Sequence, residues 1–366
     1  MNSFRQPQEN HLNSHYGPEC RQGQRSKGTQ HPRFGVTFLE ILIALLAISL
    51  LAQLAVVALQ SSRERTRLLS CHDQLRHIGR AIQLHDDSLQ HFPHGGWGFL
   101  WLGDPDRGKG REQPGGWTYN LLPYAGYEKI HDIGSGLNGE EKIKVGGEMT
   151  AHGVPLFECP GRRNAAEPIA YNHRTQRYRN YYPSDFVGKG DYAGCAGDHY
   201  PEDAEANWGP RTYEIADAEE NWETAPFWII RATQTGVFYQ ASLTRSKDVV
   251  DGLGKTFFVG EKYLDPLRYR AMVTTFGDNQ HLYIGADSDT VRWTGHFRGH
   301  PLLPIADREG FQHDESFGSN HPAGCNFLLG DGSVETVAYD VDPVVFMMRS
   351  NRKDSSAAAE EPGYVD

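Results

Sequence analysis

Hydrophobic positions along the chain fall into three regimes, and each predicts a different element. From Ile41 to Leu59 they are continuous, interrupted only by Ser49 and Gln53. That run of about nineteen residues is enough for a helix to cross a ~30 Å hydrocarbon core. From Ser61 the pattern becomes periodic. Leu68, Cys71, Leu75, Ile78, Ile82 and Leu89 recur at threes, fours and one seven, which marks one face of a helix. No proline falls between Val36 and Phe92, so a single helix of roughly 55 residues, about 80 Å long, is predicted. Gly79 is its weak point, and Pro93 followed by HGGWG ends it. Beyond residue 95 the apolar runs are short and separated by turn residues. They predict antiparallel strands over Phe227–Arg231, Gly236–Ala241, Thr256–Glu261, His281–Gly285, Asn326–Leu329 and Val334–Tyr339. Segments 102–116 and 198–224 read as long loops.

A secretory signal would have a shorter apolar core and a small-residue cleavage site after it, whereas this core continues into SSRERTRLLSCHDQL. The junction RFGVTFLE instead resembles the type IV prepilin signal, in which a basic leader ends in Gly and Glu follows at the fifth mature position. Gly35 and Glu40 occupy those places and Thr37 and Leu39 fit, while Val36 stands where phenylalanine is usual. The resemblance implies cleavage after Gly35 by a prepilin peptidase, methylation of the new amine on Val36, and pairing of Glu40 with the terminal amine of a neighbouring subunit. A carboxylate in hydrocarbon costs several kcal/mol unless it is paired. The alternative for Glu40 is a plain N-terminal place on the helix, favoured by the macrodipole and the headgroups.

Charge sharpens this division. Residues 1–35 carry Arg5, Arg21, Arg25, Lys27 and Arg33 against Glu9 and Glu19, a net +3; the whole chain is −11, leaving −14 for the rest. No basic footprint for a nucleic-acid backbone exists, so nucleic acid is not an expected partner. The basic leader favours the cytoplasm for its own side, although Arg63, Arg65 and Arg67 beyond the span oppose that orientation. Mean hydropathy is −0.59; with 40 Gly and 20 Pro, the body suits a loop-rich, polar β structure.

Of the five cysteines, Cys20 lies in the leader and no two form a CxxC pair, so no zinc-ribbon or thioredoxin-like site is expected. Cys71, Cys159, Cys195 and Cys325 remain, an even number compatible with disulfides in an oxidising compartment; their pairing stays open. His72, His77, His85, His91 and His94 invite a ligand reading, but His77, His85 and His91 do not share a face at i, i+4 spacing, so solvated helix histidines are expected. Asp251-Gly252-Leu253-Gly254-Lys255-Thr256 has Val249 where a P-loop needs glycine. The acidic stretch with Asp198, Glu202, Asp203 and Glu205 could hold Ca²⁺ but lacks the EF-hand order; a solvated loop is the plainer reading, and no metal site of motif quality is expected. Tyr200, Trp208, Tyr213 and Trp222 suit either a core or a sugar-stacking surface. Near the C-terminus, Asp331-Gly332 supplies a tight hairpin turn. His321 stands nine residues before it and is expected to cap or crosslink that hairpin. Ser319, His321 and Asp331 suggest a hydrolase triad, yet no G-x-S-x-G surrounds the serine.

Six motifs in order resemble the DUF1559 family of prepilin-like proteins with a C-terminal H-X9-DG domain. They are the RFGVTFLE junction; Cys71-His72-Asp73-Gln74-Leu75-Arg76-His77-Ile78-Gly79-Arg80-Ala81 with Phe92-Pro93; Phe157-Glu158-Cys159-Pro160; Asp191-Tyr192-Ala193-Gly194; Gly236-Val237-Phe238 through Asp251-Gly252 to Val259-Gly260-Glu261-Lys262; and His321 with Asp331-Gly332-Ser333-Val334. The resemblance implies an α+β fold: a pilin-like long N-terminal helix packed on an antiparallel sheet, with an additional β-rich C-terminal part. The expected organisation is a cytoplasmic leader (1–35), a transmembrane helix (36–60), the soluble half of that helix (61–94), the head (95–350) and a disordered tail (351–366). The expected function is that of a single-pass, pilin- or pseudopilin-like structural or secretion-associated subunit with an extracytoplasmic head. Its partners are a prepilin peptidase, membrane lipid and other pilin-like subunits, and neither enzymatic activity nor a cofactor is expected. The alternative is an envelope-displayed binding module for a solute, glycan or calcium.

Overall fold

The predicted long helix is present: α1 runs from Phe38 to Leu89, 52 residues. Thr37 and Glu40 start it as a reciprocal capping box. The Thr37 N–H and hydroxyl donate to Glu40 Oε2 at 2.8 and 2.9 Å, and the Glu40 N–H donates back to Thr37 Oγ1 at 3.3 Å. Gln90, in the left-handed region at φ 61°, closes α1 three residues before the proline that the sequence suggested as its stop. This computed structural model describes residues 35–163, 167, 169–171, 178–201, 209–218, 233–270 and 277–353. The chain divides into two units, Met1–Ala58 and Leu59–Asp366. In the first, every large apolar side chain of α1 is exposed, and among the described residues α1 is the one helix long and apolar enough to cross a membrane.

In the second unit, five strands form one sheet. Among the described residues the strands are β1 (Ile169–Ala170), β2 (Phe186–Val187), β3 (Tyr192–Gly197), β4 (Phe257–Glu261), β5 (Val291–Trp293), β6 (His296–Phe297), β7 (His300–Pro301), β8 (Ile305–Ala306), β9 (Gly318–Ser319), β10 (Cys325–Leu329) and β11 (Val334–Val337). The sheet order is β11-β10-β4-β3-β5, antiparallel except for the parallel pair β3·β5, and the remaining strands make two-stranded ribbons. The fold is thus α+β with a mixed sheet rather than a wholly antiparallel one.

Alternation along β10 explains why both faces of the sheet are covered. Cys325, Phe327 and Leu329 point to a core that includes Phe257, Phe317 and Phe346, the last from the C-terminal helix Pro343–Met348. Phe257 and Phe327 lie 4.3 Å apart between ring centroids. Leu328 points the other way, into the core that buries Leu75, Ile78, Ala81 and Ile82 of α1. Gly79 lets α1 and the hairpin approach closely here, since a Cβ on it would stand 2.9 Å from Leu328 Cδ1, so that side chain would have to shift, and 3.5 Å from Gly332 Cα.

The hairpin β10–β11 and strand β4 match expectation closely. Gly332, at φ 87°, makes the turn, and its N–H bonds the Leu329 carbonyl at 3.0 Å. Two predicted strands are absent. Gly236–Ala241 is a turn laid against β3, with the Val237 and Phe238 N–H groups both on the Cys195 carbonyl. The bare Gly194 admits the Phe238 ring there, because a Cβ would meet Phe238 Cβ at 2.6 Å. His281–Gly285 contributes only the isolated bridge Leu102–Ile284. Phe227–Arg231 lies outside the described residues, as do residues 1–34, Trp208, Trp222 and the chain from 354 onward.

A buried ionic lattice ties together the segments flanking β3 and β4. Arg163 pairs with Asp191 at 3.1 Å and Asp278 at 2.5 Å, and Lys262 pairs with Asp278 at 3.0 Å. Lys189 Nζ donates to the Asp278 and Gln280 carbonyls at 2.7 and 2.9 Å. Burial works against the Asp278 carboxylate, but Arg163, Lys262 and Lys189 outweigh it and hold its pKa below the ordinary range. Because the folded value is the lower one, the stabilisation is complete above about pH 4 and is lost as pH falls through the folded value.

Two outcomes follow. Asp278→Asn leaves buried cations uncompensated and lowers the free energy of unfolding at neutral pH by about 3–5 kcal/mol, measured by denaturant titration of the detergent-solubilised chain. Gly79→Leu destabilises by about 1–3 kcal/mol through overpacking against Leu328, read as a lower thermal midpoint.

Candidate functional site

Four elements converge beside the edge where α1 meets the sheet. Cys71 comes from α1, Cys159 from the turn after the short helix Pro155–Phe157, Glu261 from the end of β4, and His321 from the segment between β9 and β10. All four are at most 1% exposed, and one donor atom from each lies within 4.8 Å of the others. The Cys71 and Cys159 sulfurs are 3.0 Å apart.

Each side chain is positioned from outside the cluster. Glu261 Oε2 accepts from the Asn326 N–H at 3.0 Å and from Asn326 Nδ2 at 2.9 Å. The Asn326 Oδ1 is in turn held by His72 of α1 at 2.9 Å and by Thr336 at 2.7 Å. His321 Nδ1 lies 2.8 Å from Glu64 Oε1 on α1, and an ionised carboxylate can only accept, so Nδ1 carries the proton. The Cys159 N–H donates to Asp191 Oδ2 at 2.7 Å, while the Cys159 carbonyl takes the N–H groups of Arg162 and Arg163. Arg162 is itself locked to Asp307 at 2.7 Å. Gln74, one turn along α1, donates to the Pro155 carbonyl at 2.8 Å and accepts from the Tyr192 hydroxyl at 2.9 Å. The motif Cys71-His72-Asp73-Gln74-Leu75 is therefore a contact strip between α1 and three other elements.

Electrostatics at the cluster are strongly displaced. Burial disfavours a charged His321, but Cys159, Glu261 and Glu64 around it outweigh burial and push its pKa up to about 9. The neighbouring Cys71 thiol, then burial, raise Cys159 well above the ordinary thiol range. His321 Nε2 and Glu261 Oε1 face each other at 3.6 Å, and neither makes a hydrogen bond.

The other sequence candidates distribute as follows. The His321 ring does not cap the β10–β11 hairpin. Its backbone is what ties in, with the N–H on Ser319 Oγ at 3.1 Å and the carbonyl under the Tyr339 hydroxyl at 2.6 Å. Asp331 bonds Ser333 across the turn, so Ser319, His321 and Asp331 do not assemble as a triad. Cys195 and Cys325 are buried in β3 and β10; among the described residues the only sulfur–sulfur contact is Cys71–Cys159. Burial pushes the Cys195 thiol up to about 12. His85 and His94 are not solvated: they are 1% and 0% exposed, and burial lowers their pKa values to about 4 and about 3. Asp198 accepts from Thr235 at 2.5 Å and Asn351 at 3.1 Å; Glu202, Asp203 and Glu205 lie outside the described residues.

The long helix and the mixed five-stranded sheet define an α+β protein, and the exposed apolar side chains in the first part of α1 are compatible with a single-pass membrane anchor. The family model described as "Protein of unknown function (DUF1559)" matches residues 60–344, and the chain belongs to that family. No curated protein and no solved structure matches it. Asn326→Ala strips Glu261 of a side-chain donor and leaves the buried carboxylate under-satisfied. The expected cost is about 1.5–3 kcal/mol in denaturant unfolding, without a change of secondary structure by circular dichroism.

Proposed function

We infer that the protein is a pilin- or pseudopilin-like subunit, cleaved after Gly35, methylated on Val36 and anchored by the first part of α1, with its acidic head outside the cytoplasmic membrane. The observation that carries this reading is the junction itself. Gly35 lies three residues before the first helical residue, and Glu40 sits in the first turn of a helix whose apolar side chains are all exposed up to Leu59. A segment this apolar must be covered by lipid or by like helices. In the isolated chain Thr37 takes the Glu40 carboxylate; in an assembly the methylated amine of a neighbouring subunit competes for it. Prepilin peptidase, lipid and other pilin-like subunits are the partners this implies, and the protein acts structurally rather than as an enzyme.

A second reading, an envelope-displayed binding module, draws on a cleft of about 320 Å³ lined by Asp104, Arg107, Lys142, Arg179, Asn180 and Tyr213. Lys142 already spans Asp104 and Asp106 there, at 2.6 Å from each, so the cleft's charges are largely matched internally. A solute retained through purification would favour this reading.

The test is the N-terminus of the membrane-extracted native protein, by intact mass and terminal-peptide mass spectrometry. The expected chain begins at N-methyl-Val36, and Glu40→Ala leaves cleavage intact while abolishing cross-linking to neighbouring subunits. A chain that still begins at Met1 contradicts the pilin-like mechanism.

A further inference from the structure

Buried polar atoms in folded proteins are nearly always hydrogen-bonded. Two in this cluster are not, and they face each other: Glu261 Oε1 and His321 Nε2, 3.6 Å apart on residues at most 1% exposed. Beside them lie two thiols whose sulfurs touch at 3.0 Å. Every other polar atom of these ligand groups is spoken for. Glu64 holds His321 Nδ1, which fixes the ring so that Nε2 is the nitrogen directed at Glu261; Asn326 holds Glu261 Oε2. Asn320 Oδ1 lies 3.6 Å from the Cys159 sulfur. An outer carboxylate or amide thus stands against three of the four inner side chains, His321, Glu261 and Cys159, which is an arrangement that orients metal ligands.

We propose that Cys71, Cys159, Glu261 and His321 bind one divalent transition-metal ion of the zinc class. Two sulfurs, one imidazole nitrogen and one carboxylate oxygen suit a borderline-soft ion with tetrahedral preference, and they argue against Ca²⁺ or Mg²⁺, which take oxygen ligands. Around a tetrahedral zinc, ligand atoms stand about 3.3–3.8 Å apart. The observed 3.0 Å between sulfurs and 3.6 Å between nitrogen and oxygen reach that spacing by small side-chain shifts. Both thiols and His321 Nε2 would give up their protons to the solvent on binding, Nδ1 keeping its proton toward Glu64, and the ion's two positive charges would offset the thiolates in a buried setting. The site would staple α1 to the Cys159 turn, to β4 and to the segment before β10. Each of the four ligands comes from a different motif among those that carry the family resemblance, and 88 residues separate the first two.

The experiment uses the full chain in detergent. Metal content is measured by inorganic mass spectrometry after purification without chelators, and the reduced, metal-stripped chain is titrated with Co²⁺. The expected result is about one zinc per chain, and thiolate-to-cobalt charge-transfer absorption with intense tetrahedral d–d bands that saturate near one equivalent. His321→Gln and Cys159→Ser lose those bands, whereas Cys195→Ala, a buried thiol outside the set, retains them. The wild-type titration decides the question even if a variant fails to fold. A chain isolated with Cys71 joined to Cys159, lighter by two hydrogens, overturns the proposal. So does a reduced chain that gives no tetrahedral cobalt spectrum.

Discussion

Glu261 sits at the end of a central strand with none of its surface in contact with water. A carboxylate in that position is tolerated only if the surrounding structure supplies donors and countercharge, and meeting that demand organises the head. Asn326 reaches across from β10 with both its backbone and side-chain N–H groups. His72 and Thr336 hold the Asn326 amide in the orientation that allows this. His321 brings an imidazole to the other oxygen and passes its second nitrogen to Glu64. Two of these helpers, Glu64 and His72, belong to α1, so satisfying one buried charge also fixes where the helix docks.

The docking gives the second part of α1 a place in the head's core. Leu75, Ile78, Ala81 and Ile82 contribute the apolar burial, Gly79 permits close approach to Leu328, and Gln74 closes the polar edge at Pro155 and Tyr192.

Much of this was legible in the sequence, for identifiable reasons. Continuous and then periodic hydrophobicity made α1 visible, since the 3.6-residue repeat survives wherever a helix packs on one face. The Asp331-Gly332 turn was visible because positive φ has a narrow residue preference. The failures share a cause. Gly236–Ala241 has strand-like composition, but its conformation is set by the space above Gly194, which no local rule records. His85 and His94 lack helical metal spacing and so looked solvated; tertiary packing buries them. The four-residue cluster has no short-spaced sequence motif, because its members are brought together only by the fold. The signal that could have found it was the set of resemblance motifs, four of which each hold one member.

The central claim is that α1 from Cys71 to Ile82 and the strands β4 and β10 form one cooperative unit held through the Glu261–His321 cluster. Amide hydrogen exchange of the full chain in detergent, followed by mass spectrometry of peptides, tests it most directly. The account predicts that these three segments share the slowest exchange class, and that in His321→Gln all three become faster together. A helix that exchanges from Cys71 to Ile82 independently of the strands, in the wild-type chain, would contradict it.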